Sequence, residues 1–144
     1  MTAFTVRRAD WERDVEQIRR IRETVFVVEQ AVPPALEWDG LDSLCTHALA
    51  EDQNRDAIGT GRLHPSGKIG RMAVLHHWRG HGVGAAILGH LIDAARERGI
   101  KEVFLHGQTR VLGFYAGFGF VAEGAQFEEA GIPHRLMRLR LTER

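Results

Sequence analysis

With Cys45 as its single cysteine, the chain cannot close an internal disulfide, which suits a reducing compartment. A surplus of one charge is missing too. Nineteen lysines and arginines (19) balance 19 acids over 144 residues, for a formal net charge of zero. Non-specific nucleic-acid binding runs on a surplus of cations facing phosphates, so this balance argues against it. No run approaches the roughly 20 apolar residues that a membrane-spanning helix needs. The first ten residues lack the apolar stretch of a signal peptide, and no repeat or low-complexity segment is present. The expectation is a soluble cytoplasmic protein with no nucleic-acid and no membrane partner.

What is there is ordinary for a globular domain. Hydrophobic residues make up 44% and charged residues 26%, a balance that does not point to disorder. A chain of this length buries roughly 70% of the surface its unfolded form exposes, so it needs no metal or disulfide staple. Residues 1–144 are expected to form one domain.

Periodicity gives the order of elements. Residues 2–8 read as a strand ending at Asp10, a residue suited to cap a helix. Trp11, Val15, Ile18, Ile21 and Val25 then recur at spacings of three and four, the stripe of an amphipathic helix. Val32-Pro33-Pro34 stops that helix, and residues 37–42 form an acidic loop. Residues 44–50, 57–64 and 68–74 read as three strands joined by polar turns. Residues 85–98 form a nearly continuous apolar helix that ends at Gly99. A strand over 100–106, a short helix over 110–118 and an antiparallel pair over 120–127 and 135–141 complete the chain. This βα, βββ, α, β, α, ββ order predicts an α/β protein whose mixed sheet carries helices on its faces.

The segment that carries chemistry is Arg79-Gly80-His81-Gly82-Val83-Gly84, set between a strand and a helix. The first N–H groups of a helix lack partners within it and carry the positive end of its dipole. Glycines let an anion approach those groups closely, and Arg79 adds a cation. The spacing is neither G-x-G-x-x-G nor a Gly-Lys-Ser/Thr phosphate loop. It matches [Arg/Gln]-x-x-Gly-x-[Gly/Ala] at Arg79, Gly82 and Gly84, and Arg71-Met72-Ala73-Val74 precedes it. Together these resemble the pyrophosphate-binding region of the GNAT superfamily of acetyl-CoA-dependent N-acyltransferases. Arg22–Gln30 in the first half, with Glu37-Trp38-Asp39 and His47, resembles the ElaA-like subgroup. So do Leu105-His106-Gly107-Gln108, Phe114-Tyr115 and Gly131-Ile132-Pro133-His134 in the second half.

The resemblance implies a GNAT-like fold in which two central strands of the mixed sheet splay apart and admit the coenzyme's pantetheine arm. It implies acetyl-CoA as co-substrate, held by Met72, Ala73, Val74, Arg79, Gly80, His81, Gly82, Val83, Gly84, Gln108 and Phe114. The Val74 N–H would polarise the thioester carbonyl, where negative charge grows. Tyr115 would protonate the departing thiolate. Glu29 would accept a proton from the amine or anchor it, with Gln30, His47 and His134 also on the acceptor side. A solvated acid at Glu29, and satisfied structural histidines at His47, His106 and His134, are the alternative readings. His76, His77 and His81 lack the paired cysteines or His-x-x-x-His spacing of a zinc site, so no metal is expected. Cys45 reads as a small core residue. The acceptor is expected to be a small primary amine, and a homodimer is compatible with the reading. A non-catalytic acyl-CoA-binding sensor and an interaction module are the competing classes.

Overall fold

A computed structural model describes residues 3–141. Strand β1 (Phe4–Ala9) leads into helix α1 (Trp11–Arg22), whose N-cap Asp10 accepts a hydrogen bond from the Glu12 N–H. Thr2, where the first strand is expected to begin, lies outside the described residues. The helix continues over Glu23–Glu29 as a π-helix and ends before the prolines rather than at them. Ala31 turns the chain with φ of 57°, and Pro34 opens the short helix α2 (Pro34–Glu37).

Strands β2 (Thr46–Asp52), β3 (Ala57–Leu63) and β4 (Ile69–Val74) follow. They form one antiparallel sheet in the order β1-β2-β3-β4. Helix α3 (Val83–Glu97) comes next, followed by β5 (Glu102–Gln108). A helix is expected over 110–118. The structure breaks it into a 3₁₀ turn at Thr109–Val111 and the one-turn α4 (Leu112–Ala116), since Gly113, Gly117 and Gly119 interrupt helix propagation. Strands β6 (Val121–Glu129) and β7 (Ile132–Arg140) close the chain, and the second antiparallel sheet runs β5-β7-β6.

Side-chain alternation along β2 sorts the core. Ala48 and Ala50 face α3, while Leu49 faces α1 with Ile18, Ile21 and Val25. Helix α3 lies close to β3 because Gly59 and Gly61 leave room for it. A Cβ on Gly61 would sit 2.9 Å from Ile87. That close approach fixes where the helix begins, and so where its unpaired N–H groups point.

Among the described residues the two sheets meet at one parallel bridge, Lys68 with Phe104, reinforced by the Phe104 N–H donating to Gly67 O at 3.0 Å. Beyond it the described parts of β4 and β5 share no further ladder. The expected mixed sheet is therefore two antiparallel sheets whose adjoining strands are parallel and splay apart.

Candidate active site

The splay opens a cleft of about 520 Å³. Its walls come from β4, β5, α4, the end of the first helix and the β6–β7 hairpin, through Gln30, Met72, His106, Gln108, Tyr115 and Glu129 among others.

The last residues of β4 face this gap with their backbone. The Leu75 N–H donates to Ile58 O in β3 at 2.9 Å, which makes Gly59–Val74 a pair without mutual hydrogen bonds. The Val74 N–H and C=O therefore point away from β3, toward the gap. The Val74 carbonyl accepts from Arg79 Nε at 3.0 Å. Ala73 is buried against α1, and Met72 lines the cleft.

At the same end stands the glycine turn. Gly80 and Gly82 adopt φ of 81° and 84°, values that side chains disfavour, and Gly82 is the N-cap of α3 with no side-chain hydrogen bond. A Cβ on either glycine would meet nothing within 4 Å, so the ground before the helix is open. At Gly84 a Cβ would touch the Phe114 ring at 3.7 Å and Val74 at 3.8 Å. The cradle, the end of β4 and α4 thus converge. Open space, uncapped N–H groups and Arg79 fit a diphosphate. His81 packs edge-on against Trp78, with ring centroids 5.7 Å apart, and the Val83 side chain is buried.

Tyr115 lines the cleft and packs on Phe114 and Phe120. Burial pushes its phenol above the ordinary range, with Arg110 pulling weakly the other way, so the hydroxyl keeps its proton at neutral pH. Gln108 Nε2 donates to Gln30 Oε1 at 3.1 Å, tying β5 to the end of the first helix across the cleft.

Glu29 is not among the residues lining that cleft. It receives Arg79 Nη2 at 2.8 Å and borders a second cavity of about 280 Å³ with Gln17, Leu75 and His76. His47 is also elsewhere. It is 2% exposed, stacked on Trp11 at 4.6 Å, and its Nε2–H donates to Asp42 O at 2.8 Å. Burial lowers its imidazole below the ordinary range.

His134 does reach the cleft, where it meets His106, itself a weaker candidate from the sequence, and Glu129, a residue outside the expected site. Its Nδ1–H donates to Ile132 O at 2.6 Å, leaving Nε2 toward Glu129 Oε2 at 3.9 Å. The other Glu129 oxygen accepts from His106 Nδ1 at 2.9 Å. Burial pushes the Glu129 carboxyl up, but His106, Lys68 and His134 outweigh it, so it rests below the ordinary range and is ionised. A hairpin turn with Ala130 at φ 52° and Gly131 at φ 76° folds Glu129 back into place. The Asp/Glu–Ala–Gly turn between two alternating strands is the sequence signal that could have placed it.

The expected acidic loop is folded inward. Arg22, fully buried, binds Glu37 at 2.9 Å and Asp42 at 2.7 Å and lies over the Trp38 ring. Arg62 pairs with Asp39 and, at 2.8 Å, with Asp42. Arg71, at φ 49° where β4 slips against β3, binds Glu37 at 3.1 Å and Asp39 at 3.3 Å. These pairs fix one wall of the cleft. The Arg62 hydrogen bond holds Asp39 far below the usual carboxylate range. Burial raises the nearby Cys45 thiol, which keeps it out of the reactive thiolate form.

Comparison with known proteins bears on the fold and the family. The family model described as Acetyltransferase (GNAT) domain matches residues 15–141. An N-acetyltransferase of Bacillus subtilis, YjcF, is 35% identical over 130 residues, covering 88% of this chain and 92% of its own length. The crystal structure of an acyl-CoA N-acyltransferase from Pseudomonas aeruginosa superposes with a TM-score of 0.82 at 28% identity, covering 96% of this chain and 99% of that one. Escherichia coli ElaA superposes with a TM-score of 0.80 at 27% identity, covering 94% and 98%.

Proposed function

The chain belongs to the GNAT acetyltransferase family, and on that footing we propose that it transfers an acetyl group from acetyl-CoA to the primary amine of a small molecule. The observation that carries this reading is the convergence of cradle, open strand edge and protonated phenol at one end of the cleft.

Acetyl-CoA supplies an activated thioester. Arg79 and the N–H groups that begin α3, with Gly80, His81, Gly82, Val83 and Gly84, hold its diphosphate. Met72, Ala73 and Val74 receive the pantetheine arm along the open edge of β4, with Gln108 and Phe114 opposite. The Val74 N–H is a preset donor for the carbonyl oxygen as charge grows there. Tyr115 keeps its proton and delivers it to the departing sulfur.

The amine arrives as an ammonium and must lose a proton. His106 takes it, in our reading. Glu129 accepts the His106 Nδ1–H, which leaves Nε2 as the free lone pair and sets a counter-charge beside the imidazolium. His134 and Gln30 line the same acceptor side. Glu29, expected to do this work, is assigned instead to holding Arg79, because its carboxylate is already engaged there. His47 supports the buried wall.

The test is free-thiol release from acetyl-CoA across a panel of small amines, with the amide product identified by mass spectrometry. Amide formation in step with thiol release supports the reading. Tight coenzyme binding without transfer to any amine would mean an acyl-CoA sensor.

A further inference from the structure

We propose that the acceptor amine also carries a carboxylate, an amino acid or related amino carboxylate, received by Arg110 with help from Lys68; this rests on the acyltransfer reading above. The charges in the cleft lining and buried directly behind it divide into two groups. At one wall Arg22, Arg62 and Arg71 are matched by Glu37, Asp39 and Asp42 through contacts of 3.3 Å or less. That wall is electrically closed. Elsewhere in the cleft stand Lys68 and Arg110, and neither has a carboxylate within 4.0 Å among the described residues. Against these two cations the cleft sets, among the described residues, one further acid, Glu129, which Lys68 feels through space and which is shared by His106 and His134, so Arg110 is left without an acidic partner.

Arg110 is also presented for use. Its Nε donates to Gln108 Oε1 at 3.1 Å, and Gln108 is in turn fixed to Gln30. Among the described residues no acceptor engages its two terminal nitrogens, which keep the planar fork that matches a carboxylate in two hydrogen bonds. Lys68 is half-buried at the bridge where β4 and β5 part, where lower dielectric strengthens its attraction for an anion. A plain amine would complement Glu129 and leave exposed Arg110 and half-buried Lys68 without an anion in the cleft. An amino carboxylate complements both signs.

The test uses the full chain with acetyl-CoA and paired acceptors of one skeleton: α- and ω-amino acids against the amines lacking the carboxylate. The expected result is a preference of at least tenfold in kcat/KM for the acids, about 1.4 kcal/mol. Arg110→Gln should cut that preference at least tenfold through KM, and Arg110→Lys should restore part of it. Acetyl-CoA affinity, read by calorimetry, should stay within about twofold for both variants. Amines turning over as well as the acids would overturn the proposal, as would a fall in coenzyme affinity on Arg110→Gln. If no acceptor turns over, calorimetry of the acids on the coenzyme-bound protein decides: binding weakened by Arg110→Gln upholds the anion site while the acyltransfer reading fails, and no binding overturns it.

Discussion

Arg79 holds Glu29: its Nη2 donates to the carboxylate at 2.8 Å while its Nε donates to Val74 O at 3.0 Å. One side chain thereby joins the end of the first helix, the end of β4 and the glycine turn. Both partners are substantially exposed, with side-chain exposures of 41% and 31%, so the pair contributes little to folding. Its consequence is orientation of a cation beside the cradle.

Glu29→Gln should therefore weaken acetyl-CoA binding by about twofold to fivefold, the scale of a surface ion pair. Thermal stability and the shape of the pH–rate profile should not change. Calorimetry and a pH–rate series check both points. Unchanged affinity together with a displaced profile would return Glu29 to proton transfer.

Tyr115→Phe keeps the ring contacts with Phe114 and Phe120 and removes only the hydroxyl. Coenzyme affinity should persist while kcat falls by ~10²–10⁴. Because burial raises the phenol, wild-type activity should show no loss of this acid below about pH 10. A loss smaller than about threefold would mean that water or another group protonates the thiolate.

Glu129→Gln leaves a neutral group where His106 now has a counter-charge. We expect kcat/KM to fall at least tenfold, a modest share of what acid–base catalysis supplies. Equal activity would remove the His106–Glu129 pair from the mechanism.

Arg22 is the buried hub of the cleft wall, so Arg22→Leu should destabilise the fold, because it leaves buried Glu37 with Arg71 alone and Asp42 with Arg62 alone. Acid should loosen the same wall. Burial raises Asp42, but Arg22 and Arg62 hold it below the ordinary range, and Arg62 holds Asp39 lower still. Depressed native values mean that the stabilisation is present above the unfolded pKa near 3.9 and is lost as pH falls through the native values. Urea unfolding from pH 6 downward should show stability declining below about pH 4, and less steeply for Asp39→Asn.

The glycine turn is legible in the sequence because cradle and helix start are contiguous: spacing alone sets Gly80, Gly82 and Gly84 before an apolar helix. The strands and the two long helices are legible for the same local reason, through alternation and three-four spacing. Glu129 with His106 is not, because only the β6–β7 hairpin and the β5–β7 register bring them together. The stretch 37–42 reads only as an acidic loop because its three arginines stand on α1, β3 and β4, and local sequence cannot show a charge turning inward to meet them. Glu29 misleads in the reverse way, since its position at a helix end is correct and its partner is unseen.

Calorimetric titration of acetyl-CoA into wild type and Gly84→Val tests the central claim most directly. Gly84 is the cradle position whose backbone is helical, and its first added carbon meets neighbours at ordinary contact distance, so the fold should tolerate the change. The branches of valine would then stand where the diphosphate approaches the helix N–H groups. The account predicts one acetyl-CoA per wild-type chain and at least a tenfold weaker affinity in the variant, about 1.4 kcal/mol. Binding of equal strength in a folded Gly84→Val protein, or none in wild type, would contradict it.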